Sequence, residues 1–111
     1  MTQKKTDLLQ GTLDLLILKT LSLEARHGLG IARRIQQITR GTFAVKPGSL
    51  FPALYRLEQD GWIEEARVQA KEHNRAKYYQ LTPAGRKQLR AVTENWQRVT
   101  AAVGRVLKAS S

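Results

Sequence analysis

Cysteine is absent from this 111-residue chain. Thiolate nucleophiles, disulfides, Cys-ligated zinc and iron–sulfur clusters are therefore excluded, and a reducing compartment fits. Proline (three residues) and glycine (eight) are sparse, so long irregular loops are not expected. No apolar run approaches the ~20 residues that span a bilayer. Lys4 and Lys5 precede an apolar region as in a secretion signal, but Asp14 and Lys19 interrupt it and no small-residue cleavage site follows. A signal peptide is rejected, and the expectation is a soluble, cytoplasmic protein without a membrane partner. His27 and His73 have no partner at metal-ligand spacing and read as turn residues. There is no G-x-S-x-G, no P-loop and no carboxylate pair beside a base, and Glu64-Glu65 reads as a solvated pair. No catalytic residue, metal or cofactor is expected, and the chain does not read as an enzyme.

Acid is scarce as well. Nine Asp and Glu stand against 19 Lys and Arg, a net charge of +10. From Arg33 to Arg56 there are basic residues at 33, 34, 40, 46 and 56 and no acid at all. Between Ala66 and Arg90 the only acid is Glu72. So much positive charge implies an anionic partner, nucleic acid first. The hydrophobic fraction of 41% and the length suit one folded domain with a single modest core.

Apolar periodicity supplies the elements. Residues 11–23 read as a helix, buried on more than one side because leucine lies nearly all round it. Arg26-His27-Gly28 reads as a turn. Residues 29–39 form a second helix with a stripe of Ile31, Ile35 and Ile38, and Gly41 is a left-handed cap candidate. Phe43-Ala44-Val45 reads as a very short strand. Residues 49–60 form a third helix with Ser49 as N-cap, Pro52 in the first turn and Gly61 as the stop. Residues 62–69 and 77–81 read as the strands of a hairpin with a basic tip. Thr82-Pro83 opens a long helix that ends near Leu107. Its apolar positions Leu89, Val92, Trp96, Val99, Val103 and Val106 are spaced 3, 4, 3, 4, 3, an a/d seam.

This order gives the expected fold class: mainly α with a small β-hairpin, a winged helix-turn-helix over 8–82 plus a long C-terminal dimerisation helix over 83–108, in one continuous unit. In that plan the third helix enters the major groove of DNA and the hairpin touches backbone or minor groove. On a helical wheel Leu50, Ala53, Leu54 and Leu57 form the buried side. The opposite side carries Ser49, Phe51, Pro52, Tyr55, Arg56 and Gln59, with no acid among them. Arg56 has the donors for a guanine edge and Gln59 those for an adenine; a solvated face is the alternative. Lys46 suits a phosphate contact. Arg33 and Arg34 flank the same groove, and Arg75 and Lys77 serve the hairpin, where the alternative is a solubilising turn. Tyr78 and Tyr79 read as hairpin packing.

The a/d seam is too long for so small a domain to cover, and exposed apolar patches mark interfaces. A two-fold dimer covers it, with Leu13 and Ile17 of the first helix contributing, and sets two recognition helices about one DNA turn (~34 Å) apart. The alternative is that the long helix folds back on the first. Trp96 lies mid-seam as a dimer filler, and a tryptophan near a two-fold axis also offers a slot for a planar aromatic ligand.

These residues also resemble a known family. Lys46-Pro47-Gly48-Ser49-Leu50-Phe51-Pro52-Ala53-Leu54-Tyr55-Arg56-Leu57-Glu58, followed by Asp60-Gly61-Trp62-Ile63, resembles the signature of PadR transcriptional regulators. Asn74-Arg75-Ala76-Lys77-Tyr78-Tyr79-Gln80-Leu81-Thr82 with Gly85 resembles that family's wing and the start of its last helix. Gly11-Thr12-Leu13 and Gly28-Leu29-Gly30-Ile31 resemble its first two helices. The match runs in register over about 8–107, and the single short C-terminal helix resembles the compact subgroup, with wing wording similar to one common in acidobacteria. The resemblance implies a dimeric repressor on a palindromic operator, often near its own gene, that responds to small aromatic molecules, with Trp96 at the position of an aromatic that lines the ligand site. Two departures stand out: Phe51 occupies a place where tyrosine is usual, and the wing lacks a glycine-rich tip. The competing readings are a basic RNA- or ribosome-associated protein and a protein-interaction adaptor on the same scaffold.

Overall fold

A computed structural model describes residues 10–66 and 77–110. Helix α1 (Gln10–Leu23) is followed by a short strand β1 (Arg26–His27), α2 (Gly28–Ile38), α3 (Pro47–Gln59), strands β2 (Ile63–Glu65) and β3 (Tyr78–Leu81), and α4 (Pro83–Lys108). The sheet is antiparallel in the order β1-β3-β2, with Arg26 opposite Tyr79 and Ile63 opposite Leu81.

Helix α1 is the centre of the molecule. It touches α2, α3, α4 and β3, which is why its leucines show no clean polar stripe. Leu13, Ile17, Leu18 and Leu21 meet Ile31 and Ile35 of α2, Leu50, Ala53, Leu54 and Leu57 of α3, and Ile63, Tyr79 and Leu81 of the sheet in one core. Burial of each large aliphatic side chain is worth about 1.5–3 kcal/mol. Thr20, the buried polar residue of α1, donates its hydroxyl to the Leu16 carbonyl at 2.7 Å and leaves no orphan. Leu13 and Ile17 are thus core residues of a single chain (4% and 0% exposed), which removes them from the expected dimer interface.

Four local expectations are corrected. Residues 26–28 are not a turn: Arg26 and His27 pair with β3 as the third strand of the sheet, and His27 then caps α2, its Nδ1 accepting the Gly30 N–H at 3.0 Å. Residues 43–45 form no strand, because the Phe43 N–H is taken by the Thr39 hydroxyl at 3.2 Å instead of a neighbouring strand, while Phe43 and Val45 pack on the core. Helix α3 starts two residues early. Pro47 occupies its first position with φ already set for a helix, and Lys46, not Ser49, is the N-cap, its carbonyl accepting from Ser49 and Leu50. Pro52 therefore lies inside the helix. Ile38, at the end of α2, is exposed beyond the core stripe. Gly41 and Gly61 both have positive φ (+81° and +79°) and end α2 and α3 as expected.

The start of α4 is fixed by one side chain. The Thr82 hydroxyl accepts the Gly85 N–H at 2.9 Å and donates to the Gly61 carbonyl at 2.7 Å, while the Thr82 N–H donates to the Trp62 carbonyl at 3.1 Å. The cap of α4 and the end of α3 are thereby pinned together. Gly85 lies so close to Trp62 that a Cβ there would stand 1.9 Å from the Trp62 carbonyl oxygen.

Candidate nucleic-acid interface

Packing decides which face of α3 is free. Leu50, Ala53, Leu54 and Leu57 are sealed against α1 and α2, so Ser49, Phe51, Pro52, Tyr55 and Gln59 face outward. Tyr55 is 66% exposed. No carboxylate belongs to this face; Glu58 turns toward β3 instead. Lys46 stands exposed at the N-terminus, where no acidic side chain occupies the first turn. The partial positive charge of the helix end is therefore left for an outside anion. Pro52 lacks an N–H, so the Gly48 carbonyl receives no donor from four residues on, and both residues are exposed. The Phe51 ring leans on α2: a Cβ on Gly28 would lie 2.8 Å from it. Phe51 therefore serves packing between the two helices as well as the outward face. Arg33 is exposed on α2, and Arg34, half-buried, reaches Gln37 at 3.4 Å.

Two expected cations are engaged inside the chain. Arg56 does not extend outward; its guanidinium pairs with Asp14 of α1, and both are largely covered. One guanidinium N–H of Arg56 is thus given to a half-buried carboxylate, so the residue expected to read guanine joins α3 to α1 in this structure. That burial pushes the Asp14 carboxyl above its ordinary range, and Arg56 pulls it part of the way back. Lys77 bonds both carboxylate oxygens of Glu58, at 2.9 and 3.0 Å, and lies 5.2 Å from the centre of the Tyr79 ring. The bond to Glu58 holds its ammonium above the ordinary lysine value, against a smaller opposing effect of desolvation. Arg75 and His73 lie outside the described residues. His27, read from sequence as an idle turn residue, is a cap whose ring meets Tyr78 edge-on at 5.4 Å. A polar residue just before Gly28-Leu29-Gly30 was the signal for it.

The seam of α4 divides in two. Leu89 and Val92 pack against the core, so this half of the helix does fold back on α1. Trp96, Val99, Val103 and Val106 are exposed, at 44%, 45%, 50% and 74%, and Leu107, off the expected seam, is exposed too. Among the described residues no cluster of His, Asp and Glu has the makings of a metal site, and no helix is long and apolar enough to cross a membrane.

Three helices round one core, the third showing an acid-free outer face, and a small antiparallel sheet beside them make a winged helix-turn-helix protein that binds DNA. The chain belongs to the PadR-like family of transcriptional regulators, whose family model matches residues 17–91. It is similar over its length to the solved structure of a transcriptional regulator from Clostridium thermocellum, with TM-score 0.82 and 28% identity, covering 93% of this chain and 100% of that one. The PadR-like regulator of Bacillus cereus gives 0.79 and 27%, covering 92% and 97%. A transcriptional regulator of Mycobacterium tuberculosis is 44% identical over 52 residues, 46% of this chain and 47% of its own.

Proposed function

We propose that this regulator is a cytoplasmic, dimeric repressor that reads a palindromic operator with α3 in the major groove. The observation that carries the reading is the outward face of α3: Ser49, Phe51, Pro52, Tyr55 and Gln59 exposed, with no acid among them. Gln59 has the amide needed for an adenine edge. Arg33, Arg34 and Lys46 supply phosphate contacts, which position rather than specify. Arg75 and Lys77 are the proposed wing contacts, Lys77 after exchanging Glu58 for phosphate. Arg56 is left out of the reading surface and given to the α1–α3 joint.

The dimer is supported by the exposed half of α4. Trp96, Val99, Val103 and Val106 form one apolar row left exposed among the described residues. A second copy of α4 covers it and sets two copies of α3 the one turn apart that a palindrome requires. A Trp96 from each copy offers two flat faces, and a planar aromatic effector is the ligand proposed for them.

The test is fluorescence anisotropy with DNA from upstream of the chain's own gene, against scrambled DNA of equal length, at about 50 and 200 mM salt. A preference for upstream DNA that survives the higher salt, and that Gln59→Ala reduces, is the expected result. Equal binding to both that collapses with salt refutes operator recognition. Tighter binding to structured RNA than to either duplex transfers the function to RNA.

A further inference from the structure

Helix α4 carries a second pattern besides its apolar row. Its six basic residues are Arg86, Lys87, Arg90, Arg98, Arg105 and Lys108, against a single acid, Glu94. At about 100° per residue the six fall within about 120° of the circumference, directly opposite Trp96, Val99, Val103 and Val106. All six are exposed. Among the described residues none of them meets a carboxylate; Arg98 donates to Asn95 at 2.8 Å. Elsewhere three cations are paired, Arg26, Arg56 and Lys77 with Glu24, Asp14 and Glu58. From Arg86 to Lys108 the row is about 33 Å long.

A row of like charges with one interruption repels itself, and no carboxylate among the described residues offsets it. Such a row is the footprint of a polyanion. Its length is close to one turn of duplex DNA, about 34 Å. A bilayer surface would engage the apolar row and the basic row together, and the second copy of α4 proposed above already takes the apolar row. Covering the apolar row with a second copy of α4 leaves the basic row free.

We propose that the basic face of α4 is a second, sequence-independent DNA-binding surface that grips phosphates outside the segment read by α3. The grip falls either on the flanks of the same duplex or on a second one; the chemistry is the same. The proposal extends the operator reading of α3, yet scrambled DNA alone tests it, so the two fail separately.

The experiment compares the full chain with the triple variant Arg98→Gln, Arg105→Gln, Lys108→Gln and with Glu94→Gln, on scrambled and upstream duplexes, from about 50 to 200 mM salt. The triple variant is expected to make the log–log salt slope shallower by about 2–3, since each lost phosphate contact removes about 0.9. Its preference for upstream over scrambled DNA stays unchanged. Glu94→Gln, which closes the gap in the row, steepens the slope and tightens binding, a gain that misfolding does not mimic. Loss of the advantage of about 60 bp over about 20 bp of scrambled DNA in the triple variant assigns the flank, and loss of bridging between bead-bound and free duplex assigns a second DNA. Slopes equal to wild type in both variants overturn the proposal. A wild type that ignores sequence while the slopes move as stated refutes the operator reading and leaves this surface standing.

Discussion

Arg56 and Asp14 show how one contact changes a residue's meaning. On the helix wheel Arg56 belongs to the outer face, but its partner lies 42 residues away in α1. Replacing it by methionine strands a half-buried carboxylate. The expected loss of stability at pH 7 is about 1–3 kcal/mol, read from urea unfolding. The sign of its pH dependence follows from Asp14. Folding raises that carboxyl's pKa, so within the window above the ordinary value the native state holds more protons than the unfolded one. Stability from this group therefore falls as pH rises through that window. Without Arg56 the shift grows, so Arg56→Met is expected to be more destabilising at pH 7 than at pH 4. The same variant leaves discrimination between operator base pairs intact; a loss of about 1–3 kcal/mol at one base pair would restore Arg56 as a reader. At Gly85 the limit is space. An added methyl meets a backbone carbonyl at 1.9 Å that no rotamer relieves. Gly85→Ala is expected to cost about 3 kcal/mol, at or above the usual range for overpacking, as a fall in the urea midpoint.

At the level of elements, the long helices were readable because 3.6-residue periodicity is local information. The buried set of α3 and the Thr82 cap of α4 stand where the spacing put them. What escaped depends on distant partners. A two-residue strand such as β1 has no periodicity and exists only because β3 runs beside it. Leu13 and Ile17 pass for an interface because a helix apolar all round does not say which neighbours it serves. The start of α3 is ambiguous in sequence because Ser49 and Pro47 are both good helix-start residues, and proline at the first position prevails. Helix α3 thus holds Pro52 in its interior. Pro52→Ala restores a donor for the Gly48 carbonyl and is expected to raise stability by about 1–2 kcal/mol, less than the ~3 kcal/mol proline cost because the unfolded chain regains freedom. Differential scanning calorimetry checks it.

The whole molecule measures 62 × 37 × 21 Å, the long dimension of a body with an extended helix. If a second copy covers the outer half of α4, association and folding are linked, and Tm rises with protein concentration. Val103→Asp places a charge in that row without touching the core. It is expected to give a monomer by sedimentation and a Tm independent of concentration, with the far-UV spectrum of the parent. A Tm of the wild type that ignores concentration across a hundredfold range would argue against the dimer.

The Thr82 hydroxyl, bonded at once to the Gly61 carbonyl and the Gly85 N–H, also has a mechanical meaning. It makes the base of α4 a rigid joint to the end of α3, and Leu89 and Val92 hold the first half of the helix to the same core. Helix α4 is a lever about 39 Å long, so a turn of about 5° of the body it is joined to moves its tip by about 3 Å, the rise of one base pair. In the proposed dimer, whatever wedges the two tips apart retunes the distance between the two reading helices by a step that DNA registers.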